Sequence, residues 1–534
     1  MLRYYLAALL AIVPLSGSGT ACAQTPPSTG TTGATAPPPV PLPPLFSETE
    51  RTAIVAYWNA PGRYILSAPP DAATDGPYRV RLTADGSQWF RTYQITVAGK
   101  AKLPPTMDAR PTTGPFVEWE TWVAARLAYD RAVAQRAADA MNRAFAVVKP
   151  TPTPRPLLAS RAGKRPAPDQ PTAGTNDLPP APGPIPAGLL TVCGNPPPFA
   201  SVVTPLQYQV RFDDPEEVFT YIDNVKLRER YAYYRFPRGI ASYGTRLKDM
   251  TPSERDELFR AAGFTPSEQR IFAAVSKLEG GFETVQTYDT GFVSVGFIQF
   301  VTLAEGKHDL SEVLLLFKAN RPREYQEDFR RFGIDVQPDR TLTVVDPATG
   351  AELTGNAAVL KIIDDKRLTA VFQRAGRRPG FRIAQIKVAK AYYWPTNDPL
   401  TATLADGTIL AGKVGDCIKS EAGLACLLDR KINTGNIRLL NDVAQRVAVA
   451  RGCKTIADLA AFEQEIIAAM KYRDNFLADN GLGQPAPPPM PVAATPKTDK
   501  PDTTPDTTAE TPAAPEPSPT TPAPGTTPPG RKRR

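Results

Sequence analysis

Two carboxylates in the stretch 278–300, LEGGFETVQTYDTGFVSVGFIQF, stand where acid/base chemistry could be done. Cleaving a glycosidic bond requires an acid for the leaving oxygen and a base or nucleophile across the sugar ring, and paired Glu and Asp side chains can supply both. Glu279 suits the acid role. At the C-terminal end of an expected helix it meets the negative end of the helix dipole, and Val275 and Leu278 would partly desolvate it; both effects raise a carboxyl pKa. Asp289, ten residues on, precedes Thr290-Gly291 and reads as a turn residue between two short strands, where it could act as base. Tyr288, Ser294 and Gln299 accompany it as candidate substrate contacts, the last two offering neutral hydrogen-bonding groups. Each carboxylate has a plain alternative: a solvated glutamate closing a surface helix, and an Asx turn. Glu283 reads as a loop residue that could substitute as base, and Asp309, beside His308, as a helix N-cap that could contact an aminosugar. The separation of the two catalytic carboxyls would select the outcome, about 6.5–9.5 Å for inversion through a water and about 5 Å for retention.

The elements that must position these groups are legible nearby. Thr251-Pro252-Ser253-Glu254 and Thr265-Pro266-Ser267-Glu268 both place threonine at a cap, proline at the first helical position and glutamate at the third, which satisfies the orphan backbone N–H groups of a helix start. The second helix carries Ile271, Phe272, Val275 and Leu278 on one face and stops at Gly280-Gly281. Val293 to Ile298 then forms a short strand or extended wall in which Gly296 permits close backbone approach. Further helices are expected at 310–321, 324–333, 357–363, 368–376, 381–394, 420–431, 437–451 and 455–479.

Composition bounds the rest. The 534 residues hold 59 prolines, so folded segments must lie between proline-rich ones. The first 23 residues carry Arg3, an apolar run from Tyr4 to Leu15 and Ala21-Cys22-Ala23, the pattern of a signal peptide and too short for a membrane span. The chain is therefore expected to be exported, to the periplasm, the envelope or the medium. A lipidated Cys22 is the weaker alternative, because Gly19-Thr20-Ala21 lacks the usual aliphatic residue. Cleavage leaves Cys193, Cys417, Cys426 and Cys453, and an even number in an exported chain favours disulfides, with Cys417–Cys426 closing a short loop as one of three connectivities. His308 is the single histidine, so neither a zinc site nor a histidine-based triad is readily built, and no metal or cofactor is expected. The formal charge of +8 lies largely outside 250–480, which points to anionic envelope polymers as partners rather than nucleic acid.

The chain divides into a Pro/Thr-rich linker at 24–45, a small α+β accessory domain at 46–148, a Pro-rich linker at 149–198, a β-rich extension at 199–249, a mostly helical domain at 250–480 and a disordered Pro/Thr-rich tail at 481–534. Within the accessory segment, YRVRLTADGSQWFRTYQITV is open to two readings, a hairpin turning at Asp85-Gly86 or a strand followed by a helix. A helix spans 116–148, with Trp119 and Trp122 read as core. Tyr231-Ala232-Tyr233-Tyr234 could stack on sugar rings or fill a core edge.

The ordered set Glu279-Gly280, Asp289, Ser294-Val295-Gly296 and Gly296-Phe297-Ile298-Gln299 resembles the lysozyme-like superfamily. Lytic transglycosylases have a catalytic Glu-Ser followed by a Gly-Leu-Met-Gln run. Bacterial chitosanases look nearer: their second catalytic aspartate lies seven residues before a glycine, as Asp289 lies before Gly296. The resemblance extends through Gly306–Leu310, Phe381–Gln385 with Tyr393 and Pro395, and Leu424–Gly435 with Asp429, covering about residues 265–440. It implies a mainly α, α+β lysozyme-like domain with a small β-hairpin at its active-site cleft, Glu279 as acid, Asp289 as base, and Ser294 in the place of a threonine that helps hold the attacking water. The implied substrate is peptidoglycan or a related aminosugar polymer, with chitosan hydrolysis or glycan binding without cleavage as alternatives. In this chain the Glu279–Asp289 spacing is shorter than in chitosanases, and the overall charge is basic where an enzyme for a cationic polymer would favour an acidic cleft.

Overall fold

The computed structural model describes residues 44–101, 116–148, 178–223, 234–277 and 280–487. The expected signal peptide with Cys22, the greater part of both linkers, Tyr231 to Tyr233, Leu278 and Glu279, and nearly all of the expected C-terminal tail lie outside these residues. The described chain is mainly helical, with five small antiparallel sheets. No described helix is long and apolar enough to cross a membrane.

The elements sort into two cores that do not follow the linear segmentation. The larger core draws its helices from 252–470, but it also takes Phe46, Ile54 and Trp58 from the N-terminal helix Glu48–Trp58 and its lead-in. Trp58 is 1% exposed, its ring meets Phe212 edge-on, and its indole N–H donates to Phe332 O at 3.0 Å. Leu45 and Phe46 donate their backbone N–H groups to the Glu352 carboxylate at 2.8 Å each, and Arg330 pairs with Glu50. Strand β1 (Tyr64–Ser67) then pairs with β4 (Gln207–Asp213), which forms a hairpin with β5 (Glu216–Ile222). Alternation decides which side faces in: Tyr208, Val210 and Phe212 are buried, while Gln207, Gln209 and Arg211 are not.

The smaller core joins the rest of the N-terminal segment to residues on the far side of the Pro-rich linker. Strand β2 (Arg79–Leu82) pairs with β3 (Ala200–Val203), and helices Ala84–Ala101, Phe116–Val148 and Ala187–Cys193 pack around Leu82, Trp89, Phe90, Trp119, Trp122 and Phe199. The motif around Asp85-Gly86 resolves to strand then helix. Thr83 Oγ1 accepts from Gly86 N at 2.9 Å, so the polar pair starts a helix instead of turning a hairpin. Segment 178–198 contributes backbone acceptors: Trp122 Nε1 donates to Gly183 O and Trp89 Nε1 to Gly194 O. The expected self-contained domain at 46–148 is thus shared between both cores, because its strands find partners some 120 to 145 residues downstream.

In the helical region the expected helices appear at Asp309–Asn320, Asn356–Asp364, Lys366–Ala375, Pro379–Tyr393, Glu421–Thr434 and Leu439–Arg451. Both Thr-Pro-Ser-Glu starts form reciprocal capping boxes, on helices Pro252–Ala261 and Pro266–Ser276. The segment 455–479 departs from the expected continuous helix: Glu463–Met470 is α-helical, and 3-10 turns flank it. The four described cysteines are free thiols, Cys417, Cys426 and Cys453 within the larger core, and Cys417 does not bridge to Cys426. Burial pushes the Cys417 and Cys426 thiols up to about 12, so they behave as small apolar side chains.

If helix Glu48–Trp58 belongs to the main cooperative unit, Trp58→Ala should lower that unit's stability by roughly 3–5 kcal/mol. Native-state hydrogen exchange of helix Glu421–Thr434, which reports the unit's global opening, measures it. Unchanged protection there would separate the N-terminal helix from the unit.

Candidate functional site

Helix Pro266–Ser276 is fixed at its start by the Thr265–Glu268 box and along one face by Ile271, Phe272 and Val275. It directs the chain toward Glu279, whose own placement lies outside the described residues. Gly280, the next residue, sits beside Gln299 and Thr284: a Cβ there would lie 3.0 Å from Gln299 Nε2 and 3.2 Å from Thr284 Oγ1.

A three-stranded sheet follows, β6 (Val285–Gln286), β7 (Ser294–Val295) and β8 (Phe300–Val301), with Val285 opposite Val295 and Ser294 opposite Val301. Val285, Val295 and Phe300 face the main core. Pleating therefore puts Gln286, Ser294 and Val301 together on the other face. Asp289 lies in the connection between β6 and β7, as its sequence context predicts. Its Oδ1 accepts from Gly291 N at 2.9 Å, which is an Asx turn, and Phe292 closes the loop with φ +65°.

What distinguishes this turn is its burial. Asp289 is 3% exposed. Desolvation raises its pKa from 3.8 to about 6, against the lowering effect of the Gly291 hydrogen bond. Ser294 Oγ is also buried and has no hydrogen-bond partner among the described residues. A Cβ added to Gly291 would lie 2.7 Å from Ser294 Oγ and 3.2 Å from Asp289 Oδ1, so the glycine leaves open the space between hydroxyl and carboxylate. A carboxylate poised near neutrality beside an unsatisfied hydroxyl can hold and deprotonate a small polar group such as water.

The other expected site residues take different places. Tyr288 is 5% exposed and packs into the smaller core with Trp89, Phe199 and Tyr234; it is a core residue, not a platform at a cleft. Gln299 adopts φ +61° and donates from Nε2 to Gly296 O at 2.8 Å, closing the 296–299 turn. Glu283, expected as a loop residue or spare base, is buried: it accepts from Thr245 N at 2.6 Å and Thr245 Oγ1 at 3.1 Å, and pairs with Arg382. It is occupied as a brace. Asp309 is the first residue of its helix instead of the cap. Its carboxylate is buried, and it accepts from Val301 N at 2.6 Å and Tyr393 OH at 2.7 Å and contacts His308 Nδ1 at 2.9 Å. Partial burial works to lower the His308 pKa, but the hydrogen bond and charge of Asp309, with Glu305, outweigh it and leave the imidazole raised.

Residues that sequence reasoning left without a role hold the site in place. Gln385 and Arg382 lie on one face of helix Pro379–Tyr393. Gln385 Oε1 accepts from Phe297 N at 3.3 Å and Nε2 donates to Phe282 O at 3.2 Å, while Arg382 Nε donates to Gly376 O at 2.7 Å and its far end meets Glu283. The signal available for them was the run Phe381–Gln385, whose polar residues recur at helical spacing within an apolar stripe. Among the described residues no group of three His, Cys, Asp or Glu is placed to hold a metal ion. Comparison with known family models, curated proteins and solved structures found no match.

Because the folded pKa of Asp289 is raised, the native state holds its proton more tightly than the unfolded chain does. Stability attributable to this group therefore falls as pH rises from about 4 to about 6 and stays reduced above that. Asp289→Asn keeps the Gly291 acceptor and removes the charge. It should stabilise the protein by up to roughly 3 kcal/mol at pH 7.5 and leave stability unchanged at pH 3.5, as read by urea unfolding at both values. Equal effects at both pH values would contradict a buried, raised carboxyl.

Proposed function

We propose that the chain is an exported cell-wall glycosidase that cleaves peptidoglycan glycan strands by acid/base catalysis, in the manner of the lysozyme-like superfamily. Glu279 is the acid that protonates the leaving oxygen. Asp289 is the base for water, or the anion that stabilises the oxocarbenium-like transition state. The observation that carries this reading is that a desolvated Asp289 carboxyl and the unpartnered Ser294 Oγ both border the space at Gly291. A surface Asx turn has no need of a desolvated carboxyl, whereas a base gains from a pKa near the working pH. Export follows from the N-terminal sequence pattern, and the choice of polymer from the family resemblance together with the basic charge of +8.

In this scheme Asp289 acts deprotonated, so the rate should rise as pH passes through about 6. Clearing of purified cell walls by the full chain tests the assignment, with soluble chitosan as a parallel substrate. Glu279→Gln and Asp289→Asn should each lower the rate by roughly a hundredfold to ten-thousandfold while circular dichroism shows a retained fold. Activity on chitosan alone would move the substrate class. Wall binding without any release of reducing ends or anhydro-sugars would make the protein a glycan-binding module, and an undiminished rate in Glu279→Gln would remove the acid.

A further inference from the structure

Away from the carboxylate site, a cleft of about 390 Å³ runs along the outer face of helix Pro266–Ser276, walled on one side by residues 248–256 and on the other by 479–482. Four cations reach it, Lys248, Arg255, Arg270 and Lys277, against two carboxylates, Asp256 and Asp479. The four are not equally committed. Arg270 is bound to Glu421 by three contacts of 2.5–3.1 Å, and Lys277 pairs with Asp479 at 3.1 Å. These two pairs tie the segment 479–483 down, with Gly483 N donating to the same Glu421 at 2.9 Å, and so build the far wall. Lys248 makes no ion pair or hydrogen bond among the described residues. Arg255 stands 3.7 Å from Asp256, beyond hydrogen-bond reach.

We infer that this cleft is a binding site for an oxyanion, a carboxylate or phosphate group carried by a larger ligand, held by Lys248 and Arg255. Three features favour that class. Once the Arg270–Glu421 and Lys277–Asp479 pairs cancel, Lys248 and Arg255 face one carboxylate, Asp256, and the net positive charge left is focused by a concave site with partly apolar walls, here Ala273, Ala274 and Leu482. A guanidinium with unfilled donors presents a planar fork that matches two oxygens of one anion, and an ammonium adds a point charge beside it. The far wall is ordered by two ion pairs that binding need not break, so Lys248 and Arg255, the latter held only by its 3.7 Å pair with Asp256, meet a ligand in a preformed site. Nothing in this inference depends on the catalytic reading of Glu279 and Asp289.

Isothermal titration of the full chain with citrate and, separately, with tripolyphosphate at low salt tests the site. One probe at least should bind saturably at a single site, and the affinity should fall steeply as salt is added. Lys248→Gln combined with Arg255→Gln removes the two cations and leaves both wall-forming ion pairs intact; it should weaken binding by about tenfold or more. A control that removes two exposed cations outside the cleft, Arg323→Gln with Arg451→Gln, should stay within about twofold of wild type, since exposed charges away from the site are screened. Preference for citrate would identify a carboxylate ligand, and preference for tripolyphosphate a phosphate ligand. No saturable binding of either probe, full affinity in the Lys248/Arg255 double variant, or equal weakening in the control would each overturn the site.

Discussion

The arrangement of the candidate site depends on one buried amide. Gln385 is fully buried in helix Pro379–Tyr393, and its two polar atoms join the backbone at Phe282, where the chain enters the sheet β6–β8, to the backbone at Phe297, where it turns between β7 and β8. In a low-dielectric interior both halves of the amide must be satisfied, so neither contact can be released without leaving a polar atom stranded. The approach is close enough to dictate sequence. A Cβ at Gly296 would fall 2.2 Å from Gln385 Oε1, and the backbone there has φ +87°, so glycine is required by both contact and conformation. One helical turn away, Arg382 anchors Glu283 on the same entering segment. The helix therefore grips the site loop at two heights.

A loop gripped in this way can hold conformations it would not choose alone. Phe292, Gln299 and Leu303 all have positive φ without being glycine, and all three lie in the connections of the small sheet, beside Asp289 and the strand that carries Ser294. Such conformations cost of order 1–3 kcal/mol each, and the buried carboxyl of Asp289 adds its own desolvation cost. Three of the four non-glycine residues with positive φ among the described residues fall in one short stretch, 288–303, Arg340 being the fourth, while the two helices that lead into it, Pro252–Ala261 and Pro266–Ser276, are regular and reciprocally capped. Conformations of this kind persist only where the surrounding packing over-determines the backbone, here through Gln385 and Arg382.

The parts that were legible in the sequence are those with a local physical signal. Threonine, proline and glutamate at fixed spacing named two helix starts, and both boxes formed, because capping is settled within four residues. Asp289 before Thr290-Gly291 read as a turn for the same reason. What was not legible is decided by distant partners. Nothing near Trp58 says that its indole will donate to Phe332, and nothing near Arg79 says that its strand will pair with residue 203 across a proline-rich segment. Glu283 looked like a loop residue because its three partners, two atoms of Thr245 and Arg382, come from 38 and 99 positions away. The even cysteine count pointed to disulfides, but burial in an apolar core accounts for Cys417 and Cys426 without any bridge.

The smaller core bears on the site more directly than a linear division of the chain suggests. Tyr288, the residue immediately before Asp289, is buried in the same core cluster as Trp89, Phe199 and Tyr234, and its carbonyl accepts from Arg235 N at 2.7 Å. Asp289 follows in the turn between β6 and β7, its Oδ1 accepting from Gly291 N at 2.9 Å, so anchoring the tyrosine fixes the backbone from which the carboxyl is presented. The smaller core, which includes residues of helix Phe116–Val148 and of strands β2 and β3, thus anchors the residue next to Asp289. Loosening that packing would let water reach the turn, and a hydrated carboxyl returns toward its ordinary pKa. The N-terminal segment therefore supports the backbone that presents the carboxylate, and its long-range strand pairings bring it to that position.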